Sequence, residues 1–333
     1  MKNKIVAYGE IMMRLTPQNY GKIEDSNNYE SYYGGTESNV LIALSHLGDS
    51  TEYITKVPNN SLGEGVIRHL LRHKVNTENI VKDGTTLGIY FMEQGFGNRA
   101  SKVIYSRKNA VVNTLTLDEL ELDKIFDNAS WFHVSGISLA ISKNSKNISI
   151  FLAKEAKKRN LKVSFDFNYR ATLWSIEEAN KAYKEIMPYV DVCFGNTFDL
   201  ENLLDIKEAK DEDTIKTFLI TYNVAYLANT TRNVTSSTFN SLSASLYQME
   251  NDNLKVVKTE EEEFEILDRI GGGDAFVGGV IHVLNADFSN VKDAIDLGLK
   301  CGILKHLIKG DVLSMNQDEI YAWINNHSKD VHR

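Results

Sequence analysis

Proline is nearly absent, with 3 residues in a chain of 333, which leaves little material for a rigid linker. Cysteine is as scarce. Cys193 and Cys301 stand far apart and outside any CxxC or Cys/His cluster, so neither a disulfide framework nor a thiolate zinc site is supported, and a reducing cytoplasm fits. No apolar run approaches the ~18 residues of a membrane span. The apolar stretch near the N-terminus is short and broken by Glu10, unlike a secretory signal. A basic excess is missing too. With 37 Lys+Arg against 45 Asp+Glu the net charge is −8, which argues against general nucleic-acid binding. Local sites for phosphorylated nucleotides remain open. Internal repeats and low-complexity segments are also lacking.

What is present is ordinary for a soluble globular protein, with 42% hydrophobic and 25% charged residues. From Leu117 onward, strand and helix patterns alternate: a strand over 131–135, a helix over 148–159, a strand over 163–167, a helix over 179–187 and a strand over 190–194. Further strands are expected over 224–228, 243–247 and 255–257, and helices over 275–284, 291–308 and 318–325. Such alternation predicts an α/β fold, a doubly wound and mostly parallel sheet flanked by helices. Ligands bind beyond the carboxyl ends of strands in such sheets, where Asp166 to Arg170, Asn196 and Asn229 to Arg232 fall. Residues 10–33, with strands over 87–93 and 102–106 read as a hairpin, predict a small separate sheet. The helix over 62–73 directs Val66, Leu70 and Leu71 inward. His69 and His73 lie four apart on it without the glutamate of a metal-binding HExxH pattern, so they read as surface or core residues. Glu260 to Glu263 reads as a solvated face.

Two glycine turns punctuate this pattern. Gly34-Gly35 precedes Thr36-Glu37-Ser38-Asn39 and a helical spacing of Val40, Ala43, Leu44 and Leu47, with Thr36 placed to cap. Gly271-Gly272-Gly273-Asp274 precedes the small, apolar segment Ala275 to Leu284. Glycines at a helix start let backbone N–H groups converge on an anion, and the helix dipole adds partial positive charge. Asp274 beside such a site fits a base that takes the proton of an attacking hydroxyl. On spacing alone the segment reads equally as a glycine turn with Asp274 in the first turn of a helix.

Gly34-Gly35-Thr36-Glu37-Ser38-Asn39 with Leu47-Gly48, and Asp268-Arg269-Ile270-Gly271-Gly272-Gly273-Asp274-Ala275-Phe276, resemble the N- and C-terminal signatures of ribokinase-like (phosphofructokinase-B type) carbohydrate kinases. Within that family the chain looks most like the 2-keto-3-deoxygluconate kinases. Tyr90, the segment Ile104-Tyr105-Ser106-Arg107, the strand end Asp166-Phe167-Asn168-Tyr169-Arg170 and Gly310-Asp311 carry that closer likeness.

The resemblance implies one ribokinase-like domain over 1–333, with lid segments at about 10–33 and 86–110. It implies ATP-dependent phosphorylation of the terminal O6 hydroxyl of 2-keto-3-deoxygluconate. Asp274 would be the base, and Gly271, Gly272 and Gly273 the anion hole. Gly34, Asn39, Tyr90, Tyr105, Arg107, Asp166 and Arg170 would surround the sugar acid, with Arg107 and Arg170 on its carboxylate. Asn196, Asp199, Arg232, Gly271 and Gly273 would face ATP and Mg²⁺, the metal held by no direct protein ligand. A monovalent cation near the anion hole and a homo-oligomer built through the lid sheet are implied by resemblance only. Read without it, Arg107 and Arg170 could be surface ion-pair residues. A kinase for another sugar acid or a neutral sugar, and a non-catalytic sugar-binding regulator on the same fold, are the alternatives.

Three departures from the family pattern stand out. Arg269 replaces a threonine and Gly272 an alanine in the C-terminal signature. Asn196-Thr197-Phe198-Asp199 shortens an Asn-x-x-Glu. Ala228-Asn229-Thr230-Thr231-Arg232-Asn233 lacks the glycine-rich turn usual after the nucleotide-side strand.

Overall fold

The computed structural model describes residues 4–326, so the ends of the 1–333 domain lie outside it. The chain opens with β1 (Lys4–Tyr8), β2 (Met12–Pro17), β3 (Tyr29–Gly34), α1 (Thr36–His46), β4 (Ser50–Val57), α2 (Ser61–Arg72) and β5 (Ile80–Lys82). Next come β6 (Ile89–Glu93), β7 (Lys102–Ser106), α3 (Leu122–Ile125), β8 (Ala129–Ser135), α4 (Gly136–Ala140), α5 (Lys143–Lys158), β9 (Lys162–Asp166) and α6 (Ile176–Ile186). The remainder holds β10 (Val192–Phe194), α7 (Thr197–Leu203), α8 (Asp211–Tyr222), β11 (Tyr226–Val234), β12 (Phe239–Glu250), β13 (Asn253–Lys258) and β14 (Glu262–Glu265). Three helices close the chain: α9 (Gly272–Ala286), α10 (Val291–His306) and α11 (Gln317–Asn326).

The large sheet runs β13-β12-β11-β10-β9-β8-β1-β4-β5, with β14 paired to β12 off that path. Neighbours from β5 to β11 are parallel, and β12, β13 and β14 extend the sheet in antiparallel fashion. Alternation along β1 shows how both faces are covered. Ile5 and Ala7 pack into one core with α1, α2, α9 and α10, while Val6 and Tyr8 pack into another with α5, α6 and α8. With β4 on one side of β1 and β8 on the other, strand order reverses there, and a crevice opens beyond the carboxyl ends.

The small sheet has the order β3-β2-β6-β7. Its two hairpins join through parallel pairing of β2 with β6, a register that residues 10–33 and 86–110 do not reveal separately.

Four local expectations change. Thr36 does not cap α1: extended Gly35 is the N-cap, without a side-chain bond, and the Thr36 hydroxyl instead accepts from Asn168 Nδ2 at 3.4 Å. Leu71 points outward, 55% exposed, because α2 buries Val66, Ile67 and Leu70 and the next residue lies ~100° round the helix. The acidic run is not all solvated face, since Glu262 starts β14 and takes Lys300 of α10 at 2.6 Å. Asn229 to Arg232 is not a strand-end loop: β12 pairs along it, and β11 runs on to Val234.

Candidate active site

The stretch before α9 turns on one backbone conformation. Gly271 has φ +82°, and a Cβ there would collide with the Asp311 carbonyl oxygen. Only glycine fits that combination. Gly272 is equally constrained. A methyl group would run into the His306 imidazole, whose Nδ1 is 2.6 Å from the Gly302 carbonyl oxygen. His306 therefore accounts for a glycine where the family signature has alanine. Gly273 opens to the cleft, with nothing within 4 Å of a Cβ position. The first-turn N–H groups of α9 have no side-chain cap and no intrahelical acceptor, so they are free to donate.

Gly271→Ala should destabilise the protein by more than ~1 kcal/mol, whereas Gly273→Ala should keep the wild-type melting temperature. Thermal melts of the two variants side by side measure this. Equal melts would show that the αL turn is not required.

The small sheet and the large sheet wall one cavity together. Gly34, Asn39, Tyr90, Tyr105, Arg107, Asp166, Arg170 and Asp274 all line it, so every residue expected around the sugar acid reaches the same space. Asn39 does more than stand nearby: its Nδ2 donates to Asp274 Oδ2 at 2.7 Å. Arg107 is at once cleft residue and ion-pair residue, because its Nη2 donates to the buried Glu10 carboxylate. Tyr90 lines the cavity but directs its hydroxyl to Asp311. Arg170 is exposed, and its one hydrogen bond among the described residues goes to the Tyr169 carbonyl at 3.1 Å. Arg269 also lines the cavity, and no carboxylate pairs with it among the described residues.

Two carboxylates face each other's fields here. Burial pushes Asp274 up to about 7, against the Asn39 hydrogen bond and with help from Glu37. Burial pushes Asp166 up to about 8, and the negative charge of Asp274 adds to it. Near neutral pH, Asp274 is therefore poised between its forms while Asp166 holds a proton. Two acidic groups raised together toward neutral pH, side by side in a cleft, are what a proton-transfer site needs.

A second cavity adjoins the first and shares Asp166, Asn168, Arg170 and Gly273 with it. Asn196, Asp199, Ala228, Asn229, Thr230 and the exposed ring of Phe198 are also among its lining. Asn196 and Asp199 also serve the fold, forming a capping box on α7. The Asn196 side chain accepts from Phe198 and Asp199 N–H, and Asp199 Oδ2 accepts from Asn196 N at 2.9 Å. Asp199 Oδ1 is left for other partners. Arg232 does not join the walls of either cavity. It lies on the antiparallel extension of β11, where partial desolvation and then the like charge of Arg269 lower its pKa.

Beneath the first cavity lies a buried ionic group that the sequence did not reveal. Arg14 of β2, fully buried, donates Nη2 to Asp268 at 2.7 Å and Nη1 to Asp311 at 2.9 Å. Burial alone would lower its pKa, but the two carboxylates raise it, and the guanidinium stays charged. Glu37, also buried, accepts from the Ser135 N–H and from the Ser135 and Ser138 hydroxyls at 2.7 to 2.9 Å. Glu37 stands inside the first glycine signature, and that was the available signal. Arg14 had none beyond a lone cation on an alternating strand.

A model of the family described as pfkB family carbohydrate kinase matches residues 2–318. The chain belongs to that family. It is a carbohydrate kinase, with the ribokinase-like fold expected from the two glycine signatures. A 2-dehydro-3-deoxygalactonokinase of Haloferax volcanii is 31% identical over 325 residues, covering 96% of each chain. The solved structure of a 2-dehydro-3-deoxygluconokinase from Thermotoga maritima superposes with a TM-score of 0.89 at 33% identity, covering 96% of this chain and 98% of that one. At 19% identity a fructokinase of Xylella fastidiosa with bound ATP shares the fold, TM-score 0.79, over 99% of this kinase and all of that chain. Among the described residues of the kinase, no helix is long and apolar enough to cross a membrane.

Proposed function

We propose that this kinase transfers the γ-phosphoryl group of ATP to the O6 hydroxyl of 2-keto-3-deoxygluconate, giving 2-keto-3-deoxy-6-phosphogluconate and ADP. The observation that carries this reading is the meeting of Arg107 and Arg170 with Asp274 around one cavity. A neutral sugar needs no such cations, while a sugar acid brings a carboxylate to them. The names of the Haloferax and Thermotoga relatives support the same class.

Asp274, held by Asn39, takes the proton of the O6 hydroxyl as the oxygen attacks the γ-phosphorus. The bond from that phosphorus to the bridging oxygen breaks, and ADP leaves with the electron pair. The N–H groups at the start of α9, where Gly273 lines both cavities, meet the charge on the transferring group. Mg²⁺, when bound with the nucleotide, neutralises phosphate charge. Asp199, with one oxygen outside the capping box, and Asn196 would hold it through water. The small sheet, whose strands supply Gly34, Tyr90, Tyr105 and Ser106 next to Arg107, acts as a lid that keeps water from the phosphoryl group.

A coupled ADP-release assay across sugar acids and neutral sugars tests the substrate. Turnover of fructose or ribose, with none of the sugar acid, would remove the substrate assignment and leave the kinase. Running 2-keto-3-deoxygalactonate beside the gluconate form tests the C4 epimer that the Haloferax relative's name favours. Arg107→Ala should raise KM for a sugar acid by about 10- to 100-fold, the loss of a charged hydrogen bond worth ~1.5–3 kcal/mol, and leave a neutral sugar nearly unaffected. An equal rise for both would mean that Arg107 serves only its ion pair with Glu10.

A further inference from the structure

A third cavity lies behind the small sheet, with Asp311 standing in its wall and in the wall of the sugar-side cavity. Its sides are α2, the end of β3 and the segment 309–314. Three cations line it: Arg68 and Arg72 from α2, and Lys309 from the far side. Arg68 and Arg72 are four residues apart, hence neighbours on one helix face, and such a like-charge pair costs ~0.2–0.5 kcal/mol unless something offsets it. The field of Glu64 and the C-terminal end of the α2 dipole offset part of this, but no carboxylate pairs with either arginine among the described residues. Among the described residues neither arginine has a hydrogen bond or an ion pair. Glu64, one turn earlier on α2, is taken by Lys82 at 2.7 Å. Lys309 reaches Glu30 at 3.3 Å, and Glu30 also accepts from the Tyr32 hydroxyl.

The rest of the lining does not neutralise this charge. Asp311 is the one carboxylate there among the described residues, and Arg14 and Tyr90 already hold it. His69 and His73 form part of the wall. Burial lowers them to about 3 and about 4, so they are neutral at ordinary pH. His73 is tied to His46 at 2.9 Å, while His69 Nε2 is buried with no partner. In a chain of net charge −8, three cations converge on a recess that holds no free carboxylate.

We propose that this recess is a second anion site, which binds a small multivalent phosphate-bearing ligand, a condensed phosphate or a phosphate ester, through Arg68, Arg72 and Lys309. Guanidinium forks pair bidentately with phosphate oxygens, and two of them one helical turn apart match a ligand with more than one anionic group. Nothing in this assignment depends on which sugar the kinase phosphorylates.

The test is calorimetric titration of inorganic pyrophosphate into the wild-type protein, an Arg68→Ala/Arg72→Ala double variant and an Arg170→Ala variant. Wild type should show two binding components. Arg170→Ala should weaken the one in the nucleotide-side cavity, and the double variant should weaken the other by at least ~10-fold, as expected for loss of two charged hydrogen-bonding groups. Both helix positions are exposed and alanine favours helix, so the double variant should melt like wild type. A double variant that titrates like wild type overturns the proposal. So does a single wild-type component that disappears in Arg170→Ala. Fructose 6-phosphate titrated in parallel separates the two ligand types: tighter binding of pyrophosphate assigns the recess to condensed phosphates, tighter binding of the ester to phosphorylated sugars.

Discussion

Asp274→Asn is expected to lower kcat by about 10²- to 10⁴-fold while sugar binding stays measurable by calorimetry. Asparagine preserves the size of the side chain and can still accept from Asn39 Nδ2, so the cleft keeps its shape and loses only the base. The pH profile should carry the same signature. A carboxylate raised to about 7 in the ligand-free protein is the proton acceptor only when ionised, so kcat/KM should fall as pH drops through 7, with about a tenth of its plateau left at pH 6. Stability should run in the opposite sense. The folded carboxyl titrates above its unfolded value, so the folded state binds more protons between about pH 4 and pH 7, and the charge costs stability as pH rises through that window. The variant escapes this cost and should melt higher than wild type at pH 8, with the two converging below pH 4. A variant that keeps its turnover would sink the base assignment. If wild type itself bound the sugar acid and never consumed ATP, the non-catalytic reading would stand.

The second large effect concerns Arg14. Arg14→Met should destabilise the fold by ~3–5 kcal/mol, read from the denaturant midpoint, because it leaves Asp268 and Asp311 buried without their cation. Adding Asp268→Asn and Asp311→Asn to the same chain should recover most of that loss, since the penalty lies in unpaired charge and not in missing volume. The sugar-side cavity should respond as well, because Asp311 lines it and holds the Tyr90 hydroxyl. A loss below ~1 kcal/mol in Arg14→Met would show that water reaches the group and that the buried triad is not what joins β2 to the C-terminal signature.

The contrast between Asp274 and Arg14 also shows what the sequence could tell. Both glycine turns were legible as helix starts because their signal is local, while spacing alone left Asp274 an ordinary first-turn residue as readily as a base. The β/α alternation was legible for the same reason, each element carrying its own period. Arg14 could not be read this way. Its partners lie 254 and 297 positions away, and Glu10 is 97 from Arg107. A lone charge on an alternating strand resembles any solvated residue until the fold brings its partner to it. Asn196 and Asp199 show the converse. They were taken as phosphate-facing, and the structure adds a capping box whose three-residue spacing was visible in the chain. Arg232 was placed at a strand end because β11 was expected to stop at Ala228. The strand continues only because β12 comes back along it, which is a tertiary effect.

The route of the chain through its two sheets bears on how such an enzyme changes over generations. The small sheet is not one insertion. β2 and β3 come from residues 12–34, β6 and β7 from 89–106, and the whole of α1, β4, α2 and β5 lies between them. The parallel seam between β2 and β6 joins halves that are separate in the gene. One recombination breakpoint anywhere between residues 36 and 88 would therefore inherit half of the sugar-side wall from each parent, splitting Gly34 from Tyr90, Tyr105 and Arg107. Substrate preference in this architecture cannot be exchanged as a block. It has to drift by paired point changes across the seam, in step with Asp166 and Arg170 further along the chain.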